Sequence, residues 1–180
     1  MLARALLKLV VLLLVTLSFA QSAKAEVSIA VVDVQRLLTE SQAALSIQKQ
    51  VQAEREKLQN EFAGYEQKLR DSEKQLVEKR GDMSPEEFTS QREKFQVQLQ
   101  ETGSLVQKKK RALENGLVKA TAKLRGEILK IVAQKAEENN YDIVLTRQNI
   151  VLVAKTFDIS EEVMTAVNAS ITNIPLELSE

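Results

Sequence analysis

Apolar residues recur at coiled-coil spacing through most of the chain. In one stretch the intervals are four, three, four and seven residues, and the residues between are mostly charged or Gln. Its members are Leu58, Phe62, Tyr65, Leu69 and Leu76. A second seam follows, made of Phe88, Phe95, Leu99, Thr102, Val106, Leu113, Leu117, Ala120, Leu124 and Ile131. Such spacing keeps side chains on one helix face, so the pattern predicts two long helices that pack along each other.

A tight turn between these helices is predicted at residues 81–85, which read Gly-Asp-Met-Ser-Pro. Gly81 suits a helix C-cap and Ser84 an N-cap. Pro85 suits the first helical position, where no backbone N–H is needed. The second helix is then predicted to run from Pro85 to about Glu138, which is roughly 80 Å at about 1.5 Å per residue. No small core can bury such a rod, so the two helices form a thin arm.

Short β-branched segments lie on either side of the arm. Residues 27–32 predict a strand, and residues 141–146 and 150–154 predict a β-hairpin that turns at 147–149. Three short strands leave edges and apolar faces that one chain covers poorly, so the sequence predicts oligomerisation through this small body.

The predicted fold is therefore mainly α, with an antiparallel helical hairpin inserted between strands of a small β body. Asp33 is expected to cap a short helix after the first strand, and Asp158 or Ser160 to cap a last helix. The predicted organisation is a signal peptide at 1–25, a discontinuous body at 26–42 and 139–170, an arm at 43–138, and a flexible tail at 171–180.

The first 25 residues have the layout of a secretory signal peptide. Two basic residues precede an apolar run at 9–17, and Ala23 and Ala25 supply small side chains before a cleavage point between Ala25 and Glu26. An uncleaved anchor is the alternative, but the run is shorter than the ~20 apolar residues of a spanning helix. We therefore expect export of the mature chain.

Composition argues against catalysis. The chain has no Cys, His or Trp, so the usual zinc and transition-metal ligands and the commonest general base are missing. Carboxylates alone can bind calcium, but no spaced Asp loop of the EF-hand kind is present. The sequence thus predicts a protein that is not an enzyme and that has no cofactor.

Charge is balanced overall but unevenly placed. Residues 26–180 carry 22 bases and 25 acids, a net of −3, which argues against a nucleic-acid binder. Residues 104–135 carry a net of +7, and residues 137–180 a net of −6. The densest basic run is Lys108, Lys109, Lys110 and Arg111. It is either a solvated helix face or a local attractor for anionic client segments, lipopolysaccharide or a membrane surface.

Three stretches in this order resemble the Skp (OmpH-like) periplasmic chaperones of Gram-negative bacteria. They read IAVVDVQRLLTES (29–41), GDMSPEEF (81–88) and NYDIVLTRQNIVLVAKTFDISEEVM (140–164). The resemblance implies a jellyfish-shaped homotrimer whose helical arms surround a cavity. It also implies a periplasmic role in which unfolded outer-membrane proteins are held without ATP. The family's best-known members are strongly basic, and this chain departs from them.

The resemblance assigns the apolar strand residues to the trimer body. They are Ile29, Val31, Ile143, Leu145, Val151 and Val153. Candidates for client contact are apolar residues of the arm and its tip, namely Phe62, Met83, Phe88 and Phe95. Ordinary packing between the two helices is the alternative for each aromatic ring. Met83 is at the tip, and methionine adapts to varied surfaces.

The leading functional prediction is a holdase chaperone for unfolded outer-membrane proteins. The alternative is a structural coiled-coil adaptor or spacer in the bacterial envelope. A third hypothesis, an anion-binding protein that uses residues 108–111, predicts binding that weakens steeply with salt.

Overall fold

The structure is a computed structural model that describes residues 27–178. The predicted signal peptide and the cleavage point between Ala25 and Glu26 lie outside the described residues. Within 27–178, no helix combines the length and the apolar character that crossing a membrane requires.

Four helices and two strands follow one another along the described chain. In order they are β1 (Ile29–Val32), α1 (Val34–Glu40), α2 (Gln42–Glu78), α3 (Pro85–Glu138), β2 (Ile143–Thr146) and α4 (Ser160–Ser170). Short 3-10 turns lie at Lys79–Asp82, Arg147–Asn149 and Lys155–Phe157. Helix α3 has the predicted bounds, and the helical character of most of the chain is confirmed.

Side-chain caps explain where the first two helices begin. The Asp33 carboxylate accepts a hydrogen bond from the backbone N–H of Arg36 (2.9 Å), as predicted. The Ser41 hydroxyl accepts from the backbone N–H of Ala44 (3.3 Å) and separates α1 from α2. Ser41 is fully buried, so this break lies inside the core and fixes the angle at which the arm leaves the body.

A capping box starts α3. The Ser84 hydroxyl accepts from the backbone N–H of Glu87 (3.2 Å), and the Glu87 carboxylate accepts from the backbone N–H of Ser84 (2.9 Å). The C-cap prediction for Gly81 is wrong, because α2 ends at Glu78 and Gly81 lies inside the 3-10 turn without a positive φ. The 3-10 hydrogen bond from Met83 N to Arg80 O satisfies that carbonyl without a left-handed residue.

Helices α2 and α3 run antiparallel and contact each other along the arm. Near the body, α2 contributes Ile47 and Val51 to the core and α3 contributes Leu124 and Ile128. Farther out, the seam side chains are only half-buried, so the arm thins to two helices with a wet surface. Leu99 was predicted on the seam but is 43% exposed. Gln98 is half-buried instead. Gln98 and Leu99 lie three and four residues after Phe95, and the helical period allows either of them to face the seam.

The body contains a parallel two-stranded sheet in which Ile29 pairs with Ile143 and Val32 with Thr146. A parallel pair needs a long crossover, and here the whole arm is that crossover. The other side of β1 is also occupied, because Val31 O accepts from the backbone N–H of Ile159 (2.9 Å) and Val31 bridges Asp158. The outer edge of β2 has no strand beside it within the described residues.

The prediction of a third strand at 150–154, and of a hairpin there, is wrong for the single chain. Residues 147–149 form a 3-10 turn, and no ladder follows it in the described structure. Val151 is 106% exposed and Leu152 is 90% exposed. The outer edge of β2 is open, but the chain after the 3-10 turn passes to the other side of β1, where Asp158 bridges Val31, so residues 150–154 do not pair with β2. Val151 and Val153, predicted as body residues, therefore lie outside the sheet.

The segment after α4 also differs from expectation. Residues 171–178 were predicted to be flexible, but Ile174 is 2% exposed and packs into the core. This segment runs in an irregular but ordered path against both long helices.

Candidate functional site

The described residues include a groove on the arm near the body, another beside the helix turn, and an uncovered apolar surface on the body. Between residues 27 and 178 there is no group of three or more acidic side chains placed to hold a metal ion.

The larger groove, here called the arm groove, lies between α2 and α3 near the body and has a volume of about 410 Å³. It is lined by Val51, Arg55, Leu58, Gln59, Phe62, Lys110, Leu113, Glu114 and Leu117. Its floor is apolar and its rim carries both charge signs. Phe62, a predicted client-contact residue, is half-buried there, with the Lys110 ammonium 5.8 Å from its ring centroid.

The second groove lies beside the helix turn and has a volume of about 260 Å³. Met83 and Phe95, two further predicted contact residues, line it together with Leu76 and several Gln and Lys side chains. Phe88 lies at the start of α3 with the Arg80 guanidinium 4.3 Å from its ring centroid. That cation–π contact ties the turn to the helix that follows it.

The four predicted contact residues are thus not brought together. Phe62 belongs to the arm groove, whereas Met83, Phe88 and Phe95 cluster towards the turn. The helical rise from Phe62 to the turn corresponds to roughly 30 Å. All four are half-buried, so each ring or thioether packs within the arm and also exposes part of its surface.

The basic run at 108–111 is distributed around α3. Successive residues of a helix are about 100° apart, so four consecutive cations cannot share one face. Lys109 Nζ lies 2.6 Å from Glu61 Oε2 on the opposite helix, and Lys110 lies over Phe62. The hydrogen bond from Lys109 lowers the pKa of Glu61, although partial burial works in the opposite direction. At least two of the four cations therefore take part in arm structure.

The body presents an apolar surface around the outer edge of β2. Ile143 and Leu145 on β2 are each more than two-fifths exposed, and Val151 and Leu152, beyond the 3-10 turn that follows β2, are almost fully exposed. Of the other predicted body residues, Val31 is buried in the core and Ile29 is half-buried. A contiguous exposed apolar patch beside an open strand edge is typical of an interface between chains.

A polar network holds α4 against β1 on the other side of the body. The Ser160 hydroxyl accepts from the backbone N–H of Asp33 (2.8 Å), and the Asp158 carboxylate accepts from the backbone N–H of Ser160 (3.0 Å). Arg147 pairs with Asp158. Burial raises the pKa of Asp158, but the Ser160 hydrogen bonds and nearby Arg147 outweigh it, and the net shift is downwards. These charges neutralise each other, which indicates a structural role.

Sequence reasoning missed two residues that shape the arm surface, Gln50 and Gly116. Gln50 hydrogen-bonds to the backbone of residues 174 and 176, and Gly116 lets that segment approach α3. Helix α2 contains several Gln residues, and nothing in the neighbouring sequence distinguishes Gln50 from the others. Gly116 was the more visible of the two, since a glycine inside a long helix often marks close packing.

A coiled-coil arm on a small parallel-sheet body, with an open strand edge, defines a class of elongated helical binding protein. The family of OmpH-like outer membrane proteins matches residues 28–167, so the chain belongs to the OmpH-like family. No match was found among curated proteins.

A solved structure is similar to this one over most of its length. It is an OmpH-like protein of Caulobacter crescentus, provisionally assigned as an outer membrane chaperone. The TM-score is 0.80 with 16% sequence identity, covering 88% of this chain and 94% of the other. At that identity the likeness shows the fold alone.

Proposed function

We propose that this chain is an ATP-independent periplasmic holdase chaperone. It binds unfolded outer-membrane proteins in a cavity between the helical arms of several copies and so prevents their aggregation. Membership of the OmpH-like family supports this proposal, as does the assignment of the Caulobacter crescentus relative as an outer membrane chaperone.

The observation that carries the proposal is the surface of the arm. Its seam is only half-buried beyond the body, the arm groove has an apolar floor and a charged rim, and the groove beside the turn combines a few apolar side chains with a mainly polar lining. Such a surface offers many weak contacts that do not depend on client sequence, because apolar burial is non-directional. Several arms around one client raise the effective concentration, so weak contacts suffice to retain it.

A cavity between arms requires more than one copy, and the body supports such an assembly. The outer edge of β2 is open, and residues 150–154 have strand-forming composition but pair with no strand among residues 27–178. Pairing of that segment with a neighbouring copy would cover Val151 and Leu152 and close the edge. We propose a homotrimer, the state that the family resemblance implies.

The predicted export of the mature chain is consistent with the same function. The proposed signal peptide at 1–25 would place the mature chain in the periplasm, where unfolded outer-membrane proteins are in transit and ATP is not used. The net charge of −3 on residues 26–180 means that attraction of clients depends less on overall positive charge than in strongly basic relatives.

Light scattering after dilution of a urea-denatured outer-membrane β-barrel protein tests the proposal. With one trimer per client, we expect scattering to fall by at least fivefold relative to the client alone. An equal mass of an unrelated two-helix coiled coil is the control. Unchanged scattering would favour the alternative, a structural adaptor or spacer in the envelope.

A further inference from the structure

The side-chain amide of Gln50 holds residues 171–178, here called the strap, on the arm. It hydrogen-bonds to the backbone of the strap as a neighbouring strand would. Gln50 Nε2 donates to the backbone oxygen of Ile174 (2.9 Å), and Gln50 Oε1 accepts from the backbone N–H of Leu176 (2.9 Å). One amide group thus pairs with the strap on both sides of Pro175. The recognition is of backbone, so it does not require a particular sequence there.

The strap shows the alternation of an extended segment on a half-buried surface. Ile174 is buried and Leu176 half-buried, whereas Pro175 and Glu177, which follow them in alternation, are exposed. Alternate apolar side chains therefore face the arm, as in a strand with one face covered. The arm therefore contacts two features of the strap, its extended backbone and its apolar side chains at every second position.

A glycine on α3 makes room for the outer end of the strap. A Cβ placed on Gly116 would lie 2.9 Å from the backbone oxygen of Glu177 and 3.1 Å from the Leu178 side chain. The helix is thus shaped for close approach of an extended chain at this point. Gly126, farther along α3, has nothing within 4 Å of such a Cβ.

The strap ends where the arm groove begins. Leu113 and Leu117, which line that groove, lie within one helical turn of Gly116, and Val51 follows Gln50 directly on α2. The strap site and the groove form a continuous path on the arm, apolar at its floor and occupied only in its first part by described residues. Leu178, at the junction, is already more than one-third exposed.

We propose that this path is a binding site for an extended client segment with alternating apolar residues, and that the strap is an internal occupant which the client displaces. The inference rests on the proposed holdase function. Transmembrane β-strands of outer-membrane proteins carry this alternation over about ten residues. Pairing of a backbone with a fixed edge, with pockets for alternate side chains, is an established mode of peptide recognition.

Fluorescence anisotropy with a labelled peptide of residues 172–178 (TNIPLEL) tests the site on the full chain. Leu176→Asp removes the apolar contact that holds the outer part of the strap on the arm, so the strap is released more readily, and we expect this variant to bind the peptide at least tenfold more tightly than the natural chain. A peptide with the same composition but its apolar residues together (TNPEILL) should bind at least tenfold more weakly. A variant that ends at Thr172 lacks most of the strap and should bind the peptide as tightly as Leu176→Asp does. Agreement between the two variants shows that the gain in affinity does not come from misfolding of either one.

Glycine variants in the Leu176→Asp background provide matched controls. Gly116→Leu fills the path and should abolish peptide binding, whereas Gly126→Leu should leave it within twofold. Equal loss in both, or equal binding of both peptides, would overturn the proposed site.

Competition with a client separates this inference from the holdase proposal. A urea-diluted outer-membrane protein should displace the labelled peptide from Leu176→Asp at near-stoichiometric ratio. If the natural chain suppresses client aggregation but the client does not displace the peptide, the strap is structural only and this inference is overturned. If the natural chain does not suppress aggregation, the holdase proposal fails, and the site proposed on it fails as well.

Discussion

Lys109 Nζ lies 2.6 Å from Glu61 Oε2, and this ion pair joins the two long helices at positions far apart in the chain. The contact fixes the register of α2 against α3 midway along the arm. It also gives Lys109, which the sequence offered as a candidate for anion attraction, a role within the arm. The neighbouring Lys110 covers Phe62 of the arm groove. At this level of the arm, Lys109 and Lys110 therefore both take part in the packing of the two helices.

The Glu61–Lys109 pair predicts a pH-dependent contribution to arm stability. The hydrogen bond from Lys109 lowers the pKa of Glu61 in the folded state, against the effect of partial burial. A lowered carboxyl pKa stabilises the fold above the unfolded-state pKa, and this stabilisation is lost as pH falls through the folded-state pKa. Glu61→Gln should therefore melt below the natural chain at pH 7, and the two should converge in acid, once Glu61 is protonated in the folded state.

Thermal melts followed by far-UV circular dichroism measure this difference. Glu73→Gln, on the exposed surface of the same helix, is the control and should show a smaller offset at neutral pH. An offset for Glu61→Gln that stays constant over the whole pH range contradicts the assignment.

Ser84→Ala should loosen the turn at the tip of the arm. The substitution removes one half of the capping box and leaves the Glu87 N–H without its acceptor, at a cost of about 1 kcal/mol. Hydrogen exchange at the amides of residues 86–89 reads the local effect and should accelerate several-fold. Ser90→Ala, inside the exposed helix, should leave the same amides unchanged; equal acceleration in both variants argues against the cap.

Leu124 is a core residue of α3 near the body and is 1% exposed. Leu124→Ala should lower the free energy of unfolding by about 2–5 kcal/mol, because it removes buried methyl groups and leaves a cavity. Val118→Ala, on the exposed side of the same helix, should change it by less than about 0.5 kcal/mol. Urea titration at fixed protein concentration compares them. Similar values for the two would mean that the seam is misplaced.

Local signals predicted the helices well. The apolar period located α2 and α3, and Ser84 with Pro85 set the start of α3 to the residue. Asp33 capped α1 as expected. These features depend on neighbours three or four positions away, which a sequence displays directly.

Features that depend on distant partners were not predictable in the same way. Residues 150–154 have the composition of a strand, but the chain after β2 passes to the other side of β1, where Asp158 bridges Val31, and leaves the outer edge of β2 unpaired within the described residues. The strap contains Pro175 and follows the last helix, features that favour a frayed end, yet Gln50, distant in sequence, pairs with its backbone. Leu99 and Gln98 were both compatible with the helical period, and only packing decided between them.

Leu152→Asp should change assembly without unfolding the chain. Leu152 is almost fully exposed in the single chain, so a charge there has little to disrupt within it. At an interface between copies the same charge would be buried without a partner, which is strongly unfavourable. Size-exclusion chromatography with light scattering should show the natural chain as a trimer and Leu152→Asp as a monomer of unchanged helicity.

Val77→Asp is the control for assembly, because Val77 is exposed on the arm far from the body. It should retain the mass of the natural chain. A natural chain that is monomeric at micromolar concentration contradicts assembly through the body.

The most direct test of the holdase account asks whether a client stays soluble and remains able to fold. An outer-membrane β-barrel protein is diluted from urea with or without the mature chain, centrifuged, and the supernatant is mixed with phospholipid vesicles. The account predicts that most of the client stays in the supernatant without β-structure and then folds into the vesicles, with no ATP added. Client that pellets equally with and without the chain, or that stays soluble but cannot fold on transfer, would contradict it.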